Sequence, residues 1–232
     1  MQNQYGRFNI KNVVIFLKGG VKMKKLLSIC VISAATIFLL LGCSTKSGTT
    51  NTIEKKTKDS IVVVKNTTPE EAIKNYYMYQ LDTDSEEFKS SIYPSDATNI
   101  KLLNAKSKAY DIKKVSLNLI HAIDKRDTLS VALCSFKTSM SNIEEEKLDF
   151  EFLNLLNKNG SWYVITDLNS LNSTDQNTLQ DMTTKLSDKS LQSEDVQKIA
   201  ETQLKFDDKY SDFLESCGKK LEDYMKKEGI IH

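Results

Sequence analysis

The spacing of hydrophobic residues divides the chain into segments of different kinds. Residues 26–41 form one uncharged, mostly apolar run. Farther along, apolar residues three or four positions apart predict three helices, over 69–82, around 84–92 and over 96–108. From residue 111 the spacing becomes two, which is typical of half-buried strands. The chain therefore combines an N-terminal hydrophobic segment with helices followed by strands.

The first of these helices has a well-defined start. Thr68 is placed to be its N-cap, Pro69 fits the first helical position, and Glu71 completes a capping box. We expect the second helix to carry Phe88 and Ile92 and to end at Tyr93-Pro94. The predicted buried stripe of the first helix is Ile73, Tyr76, Tyr77 and Leu81.

Four strands are predicted between residues 111 and 167. The first alternates through Val115, Leu117, Leu119, His121 and Ile123. The others are Thr128–Lys137, Lys147–Asn157 and Ser161–Asp167. Lys158-Asn159-Gly160 has an Asn-Gly turn at its centre and predicts a hairpin. We interpret Glu144-Glu145-Glu146 as a solvated turn between strands.

Strands joined by such short loops make an antiparallel meander, with the helices free to cover one face. This order, with a last hairpin reading NKNGSWYVI, resembles the NTF2-like cone fold. The stretch TPEEAIKNYYMYQL is similar to the first helix of NTF2-like domains in secreted bacterial lipoproteins of unknown function. The resemblance covers about residues 67–168. It implies an α+β fold in which helices pack on a curved, four-stranded antiparallel sheet.

Many such domains end near residue 170, whereas this chain continues as a polar, helical extension. A helix over 174–190 has Leu179, Met182 and Leu186 as its apolar face, and a second helix runs from Ser193 to about Lys227. Two interpretations remain open: the extension packs on its own domain, or its apolar stripe binds a partner.

The hydrophobic run near the N-terminus has a recognisable setting. Lys24-Lys25 precede it, and it closes with Leu40, Leu41, Gly42 and Cys43. This tetrapeptide resembles the lipobox of bacterial lipoprotein precursors. The resemblance implies a diacylglycerol thioether on Cys43, with Leu40, Leu41 and Gly42 recognised by the signal peptidase and cleavage after Gly42. The alternative is an uncleaved transmembrane anchor, although the run is short for one.

Residues 1–22 fit a signal peptide poorly. Lys18-Gly19-Gly20 can be encoded by a ribosome-binding sequence, and Met23 follows shortly after it. We therefore expect translation to begin at Met23, the alternative being a long n-region. The predicted organisation is a signal peptide over 1–42, a lipidated N-terminus and flexible tether over 43–60, an NTF2-like domain over 61–170 and the helical extension over 171–232.

The net charge argues against two classes of partner. Residues 1–42 carry six of the 32 basic side chains and no acidic one, so residues 43–232 have 26 basic against 31 acidic side chains and a net charge of −5. This sign argues against nucleic acid as a partner and against a polybasic attachment to anionic lipid.

Few residues of the sequence are candidates for catalysis or metal binding. His121 is expected on the core-facing side of its strand with Leu117, Leu119 and Ile123, where it is either a satisfied, partly buried side chain or an acid–base partner of Asp124 or Asp127. Two histidines far apart, His121 and His232, give no metal-ligand spacing.

Cys134 and Cys217 remain after removal of the signal peptide, and each fits a local apolar stripe. They form either a disulfide or two small buried side chains. Phosphate-binding glycine loops, G-x-S-x-G and C-x-x-C are all missing from the sequence, and we expect neither cofactor nor metal.

These observations favour a membrane-anchored, extracytoplasmic lipoprotein that acts as a non-catalytic binding or scaffolding module at the cell envelope. Its expected partners are the cell membrane, through the lipid on Cys43, and an envelope protein or small ligand that the sequence does not identify. The alternative is an enzyme that uses the cone as a pocket, with His121 and an aspartate as its acid–base pair.

Overall fold

A computed structural model of the chain describes residues 65–95, 97–190 and 192–231, without the side chains of Ala97 and Thr98. The predicted signal peptide over 1–42 and the predicted tether over 43–60 lie outside the described residues. Within the described part, the elements in chain order are α1 (Pro69–Tyr79), α2 (Glu86–Lys89), β1 (Ile92–Tyr93), α3 (Ala97–Tyr110), β2 (Ile112–Arg126), β3 (Leu129–Met140), β4 (Ile143–Lys158), β5 (Ser161–Ile165), a 3-10 turn (Leu168–Ser170), α4 (Ser173–Ser190), α5 (Glu194–Lys209) and α6 (Ser211–Lys227).

Helix α1 begins where the sequence predicts. The Thr68 hydroxyl accepts a hydrogen bond from the Glu71 backbone N–H at 3.2 Å. The Glu71 carboxylate accepts from the Thr67 backbone N–H at 2.6 Å, one residue before the expected partner. Ile73 and Tyr77 are buried, but Leu81 lies beyond the end of the helix and is 39% exposed, so the predicted stripe is one residue too long.

The sheet has five strands in the order β1-β5-β4-β3-β2. Strands β2 to β5 are antiparallel neighbours, which is the predicted meander, whereas β1 is parallel to β5. The fold is therefore mixed α+β with a mixed, open sheet, and a four-stranded antiparallel cone is not confirmed. Ile92, predicted to be helical, is extended in β1, since Ser91 and Tyr93 carbonyls accept hydrogen bonds from Val164 and Thr166 at 2.8 Å.

Two turns test the strand predictions. Asn159 and Gly160 both have positive φ, at 56° and 77°, and close the predicted β4–β5 hairpin. The predicted turn at Glu144-Glu145-Glu146 is wrong because β4 already starts at Ile143, which pairs with Met140. The three glutamates are instead exposed strand residues.

Both faces of the sheet are covered. Helix α1 packs on one face, where Ile73 and Tyr77 join a core that includes Leu155 and Trp162. Helix α4 packs on the other face, where Leu179, Met182 and Leu186 contact a second core around Val131 and Leu133. The apolar face predicted for residues 174–190 is thus confirmed, and the domain has three layers.

The rest of the extension packs on its own domain, as the first of the two interpretations expected. The long predicted helix is divided at Tyr210, which has φ −114° and ψ 25°, into α5 and α6. Strand β5 pairs only with residues 155–158 of β4, and α5 contacts β4 beyond that point through Asp207 and Lys209. Covering an unpaired strand edge in this way hinders edge-to-edge association. Helix α6 buries Leu221 against α3.

Candidate functional site

The residues on which the lipoprotein prediction rests, Leu40, Leu41, Gly42 and Cys43, lie outside the described residues. Their proposed modification is therefore a matter of sequence, and the described domain is where a binding or catalytic site can be sought. Within the described residues, the helices are either too short or too polar to cross a membrane.

His121 does not face the core with the residues expected beside it. Two β-bulges in β2, between Leu117 and Leu119 and between Ile120 and Ala122, interrupt the alternation. Leu117 and Ile123 join the core beneath α1, whereas Leu119 is 50% exposed. His121 instead places Nε2 2.9 Å from the Ser135 hydroxyl. The predicted placement of His121 is therefore wrong.

The surroundings of His121 are those of a satisfied side chain. The Ser135 hydroxyl also accepts a hydrogen bond from the Asn118 amide at 3.0 Å and is fully buried, so it is inaccessible as a nucleophile. Burial lowers the pKa of His121, against an opposing effect of the Asp195 carboxylate. Asp124, one of the two expected acid–base partners, has its carboxylate 3.7 Å from Arg126.

The layer between α1 and the sheet is filled by side chains. Tyr77 stacks on Phe136 with ring centroids 5.5 Å apart and donates a hydrogen bond of 2.6 Å to the Glu151 carboxylate. Burial raises the pKa of Glu151, although this hydrogen bond opposes the shift. Burial also raises the pKa of Tyr77, and Glu151 adds to that effect. This carboxyl group is thus a core partner of Tyr77.

The two cysteines are free and buried in the structure. Cys134 belongs to the core beneath α1, and Cys217 lies on α6. Burial raises the pKa of Cys134 to about 12, with Glu151 contributing, and burial also raises the pKa of Cys217. Of the two arrangements considered for this pair, the structure contains the small buried thiols.

A groove lined by polar and aromatic groups lies beside the β4–β5 turn. It has a volume of about 390 Å³, and Ile92 and Pro94 supply part of its wall. We call it the β1–β5 groove. Its polar and aromatic lining residues are Lys89, Tyr93, Ser95, Lys158, Asn159 and Tyr163.

The Tyr93 and Tyr163 rings and the Lys158 ammonium group lie together in this groove. The Tyr93 and Tyr163 rings have centroids 6.5 Å apart at an interplanar angle of 57°. Lys158 places its Nζ 4.6 Å from the Tyr93 ring centroid and donates to the Tyr93 hydroxyl at 3.4 Å. A cation over an aromatic face is attracted electrostatically, by about 0.5–1 kcal/mol at an exposed site such as that of Lys158.

Local sequence patterns indicate parts of this groove but not that these parts lie together. The sequence predicts a turn at Lys158-Asn159-Gly160 and a helix end at Tyr93-Pro94. Tyr93 reaches Lys158 only because the two-residue strand β1 pairs in parallel with β5. The hydrogen bond between Tyr93 and Lys158 joins residues 65 positions apart. The spacing of hydrophobic residues along the chain does not predict such a long-range contact.

No protein-family model, curated protein or solved structure matches the chain. In addition, no group of three or more His, Cys, Asp or Glu side chains is arranged to hold a metal ion within the described residues. Any function must therefore be argued from this chain's own sequence and geometry.

Proposed function

We propose that the protein is a lipid-anchored, extracytoplasmic lipoprotein whose α+β domain acts as a non-catalytic binding module at the cell envelope. The observation that carries the anchor is the order of four features along the chain. Lys24-Lys25 precede the uncharged run over 26–41, which is followed by Gly42-Cys43 and then by the polar residues 44–60. A run of this length matches a signal-peptide core better than a span of roughly 20 residues.

Two features of the domain support binding rather than catalysis. His121, on the edge strand β2, is engaged by the buried Ser135 hydroxyl, and the core beneath α1 is filled by side chains such as Tyr77 and Phe136. The β1–β5 groove, by contrast, is concave and lined by hydrogen-bonding groups. We propose this groove as the binding surface.

We further propose that the domain is a variant of the NTF2-like architecture. Helices that precede a four-stranded antiparallel meander support this relation. The parallel strand β1 and the helices α4 to α6 are departures from that pattern.

The anchor is tested by metabolic labelling with an alkyne fatty acid in a bacterial host, followed by intact-mass analysis of the membrane fraction. We expect label on the wild-type protein and on Cys30→Ala, the matched control, and none on Cys43→Ala. The mature chain should begin at acylated Cys43, where two or more acyl chains give stable membrane attachment. An unlabelled wild-type protein, or a mature N-terminus elsewhere, would contradict the proposal.

The proposed start is tested separately by mutating each candidate initiator. Met1→Leu should leave protein production unchanged, whereas Met23→Leu should abolish it. Recovery of peptides from residues 1–22 in the unprocessed precursor would show instead that translation begins upstream.

A further inference from the structure

We propose that the β1–β5 groove binds an anionic saccharide, with the phosphate or carboxylate group at Lys158 and Lys89 and the sugar ring against Tyr163. This inference rests on the proposed function, because it names the ligand class of the binding module. It depends on the groove geometry and on the charges around it, and not on the acylation of Cys43.

Lys158 is the first element of the argument. Its Nζ is held over the Tyr93 ring at 4.6 Å and at 3.4 Å from the Tyr93 hydroxyl. Among the described residues, no carboxylate lies within ion-pair distance of this ammonium group, whereas lysines such as Lys185 and Lys219 each pair with a carboxylate four positions away. Lys158 therefore presents a positioned cation with donors left for an external anion.

Lys89 supplies a second positive charge to the groove lining. Its ammonium group lies 3.5 Å from Glu86, and that glutamate side chain is 74% exposed. Exposed ion pairs of this kind are weak, so an incoming phosphate or carboxylate can compete for the lysine. Among the described residues that line the groove there is no acidic side chain, and Lys89 and Lys158 are its two charged lining residues, although residues 43–232 as a whole are acidic.

The remaining lining groups favour a saccharide over an apolar anion. Tyr93 and Tyr163 offer aromatic surface against which the apolar face of a pyranose can pack. Ser95 and Asn159 add a hydroxyl and an amide, which suit a ligand with several hydroxyl groups. The volume of about 390 Å³ lies within the usual range for small-ligand sites.

The test uses the purified full-length protein in detergent micelles and isothermal titration calorimetry. The probes are N-acetylglucosamine 6-phosphate, neutral N-acetylglucosamine and inorganic phosphate. We expect saturable binding of the phosphorylated sugar and about tenfold weaker binding of either fragment, because each lacks one part of the recognition.

Variants locate the binding to the groove. Lys158→Gln should weaken binding of the phosphorylated sugar about tenfold, since a charge-assisted hydrogen bond is lost, while Lys158→Arg should retain most of it. Tyr163→Ala should weaken binding about fivefold and Tyr163→Phe much less. Lys198→Gln is the matched control, because Lys198 is exposed on α5 and lies outside the groove; its affinity should equal that of the wild type.

Several results would overturn the inference. One is equal affinity for the neutral and phosphorylated sugars. Another is unchanged affinity in Lys158→Gln when its circular dichroism spectrum is native. A third is the absence of saturable binding, up to about 10 mM, of both the phosphorylated sugar and a polygalacturonate fragment. If Cys43 is acylated in the labelling experiment and no probe binds, the ligand assignment fails while the anchor stands. If Cys43 is not acylated and the probes bind, the reverse holds.

An anionic saccharide occurs both as a single sugar and as part of a polymer, and an anionic group also occurs on lipids. Two further binding measurements distinguish these sources. A polygalacturonate fragment that binds with the same dependence on Lys158 would support an anionic polysaccharide as the natural ligand. Binding only to vesicles of phosphatidylglycerol would overturn the inference, because the recognition would then need no sugar ring.

Discussion

A buried ion cluster fixes the C-terminal helices to the sheet, and its removal is the most informative perturbation of the fold. Lys147 on β4 places its Nζ 2.8 Å from the Asp149 carboxylate and 3.3 Å from the Asp207 carboxylate on α5. The three side chains are only 10–16% exposed. Burial lowers the pKa of Lys147, but the two carboxylates outweigh it and the net shift is upward. The lysine is therefore charged in the folded state.

Replacement of this lysine by methionine preserves most of the side-chain volume and removes the charge. Lys147→Met leaves Asp149 and Asp207 as two buried carboxylates without their common cation. Breaking a buried ion pair from one side costs about 3–5 kcal/mol of unfolding free energy, because an uncompensated charge remains buried. A domain of this size has roughly 5–15 kcal/mol in total, so the loss is a large fraction.

Urea denaturation followed by fluorescence measures this loss, since Trp162 is the only tryptophan of the chain and is buried in the core. The matched control is Lys209→Met, which removes the exposed ion pair between Lys209 and Glu145 that joins the same helix to the same strand. It should change stability far less. The triple variant with methionine at 147 and leucine at 149 and 207 should recover most of the loss. A loss below about 1 kcal/mol in Lys147→Met would refute the reasoning, because it would mean that water already solvates the cluster.

Three further predictions concern single groups. Because burial raises the pKa of Glu151 above 4.5, its contribution to stability is complete below pH 4.5 and is lost as the pH rises through the folded-state value. Glu151→Gln, whose amide oxygen can still accept from Tyr77, should therefore be more stable than the wild type by a margin that grows between pH 4 and pH 7 in urea titrations; a constant margin would contradict this. Cys134 and Cys217 should resist alkylation by iodoacetamide at pH 8 in the native protein and should react in denaturant without a reducing agent. Peptide mass analysis measures the labelling. Labelling that requires a reducing agent would instead reveal a disulfide. Gly160→Ala should lower the free energy of unfolding by about 1 kcal/mol, because φ is 77° at that position. An unchanged thermal unfolding temperature would contradict the assigned turn.

The sequence predicted those elements whose signals are local. The cap at Thr68, the apolar face of α4 and the Asn159-Gly160 turn each depend on residues a few positions apart, and each is present. The break at Tyr210 was missed because the hydrophobic spacing continues across it. A periodic stripe predicts which residues are buried, but it does not require one straight helix to bury them.

The face of β2 could not be predicted from alternation alone. Each β-bulge adds one residue to a strand and so reverses the side on which every later residue lies. The bulges that flank Leu119 therefore separate His121 from Leu117 and remove the basis of the cone-pocket interpretation. Nothing in the composition of that segment marks the extra residues, because both faces of β2 contain apolar side chains.

The groove lies beside the point at which the described chain begins. Lys65, where the described chain begins, lies beside Gly160, since a Cβ there would come within 3.4 Å of the Lys65 ammonium group. The next residue, Asn66, donates to the backbone carbonyls of Ser90 and Trp162 and so fixes the chain entry next to β1 and β5. Twenty-two positions separate Cys43 from Lys65. Twenty-two residues reach at most about 80 Å when fully extended, so under the proposed acylation of Cys43 the groove would stay within that reach of the bilayer surface. A ligand that is itself confined to the envelope would meet the groove at a high effective concentration, which raises occupancy even where each contact is weak.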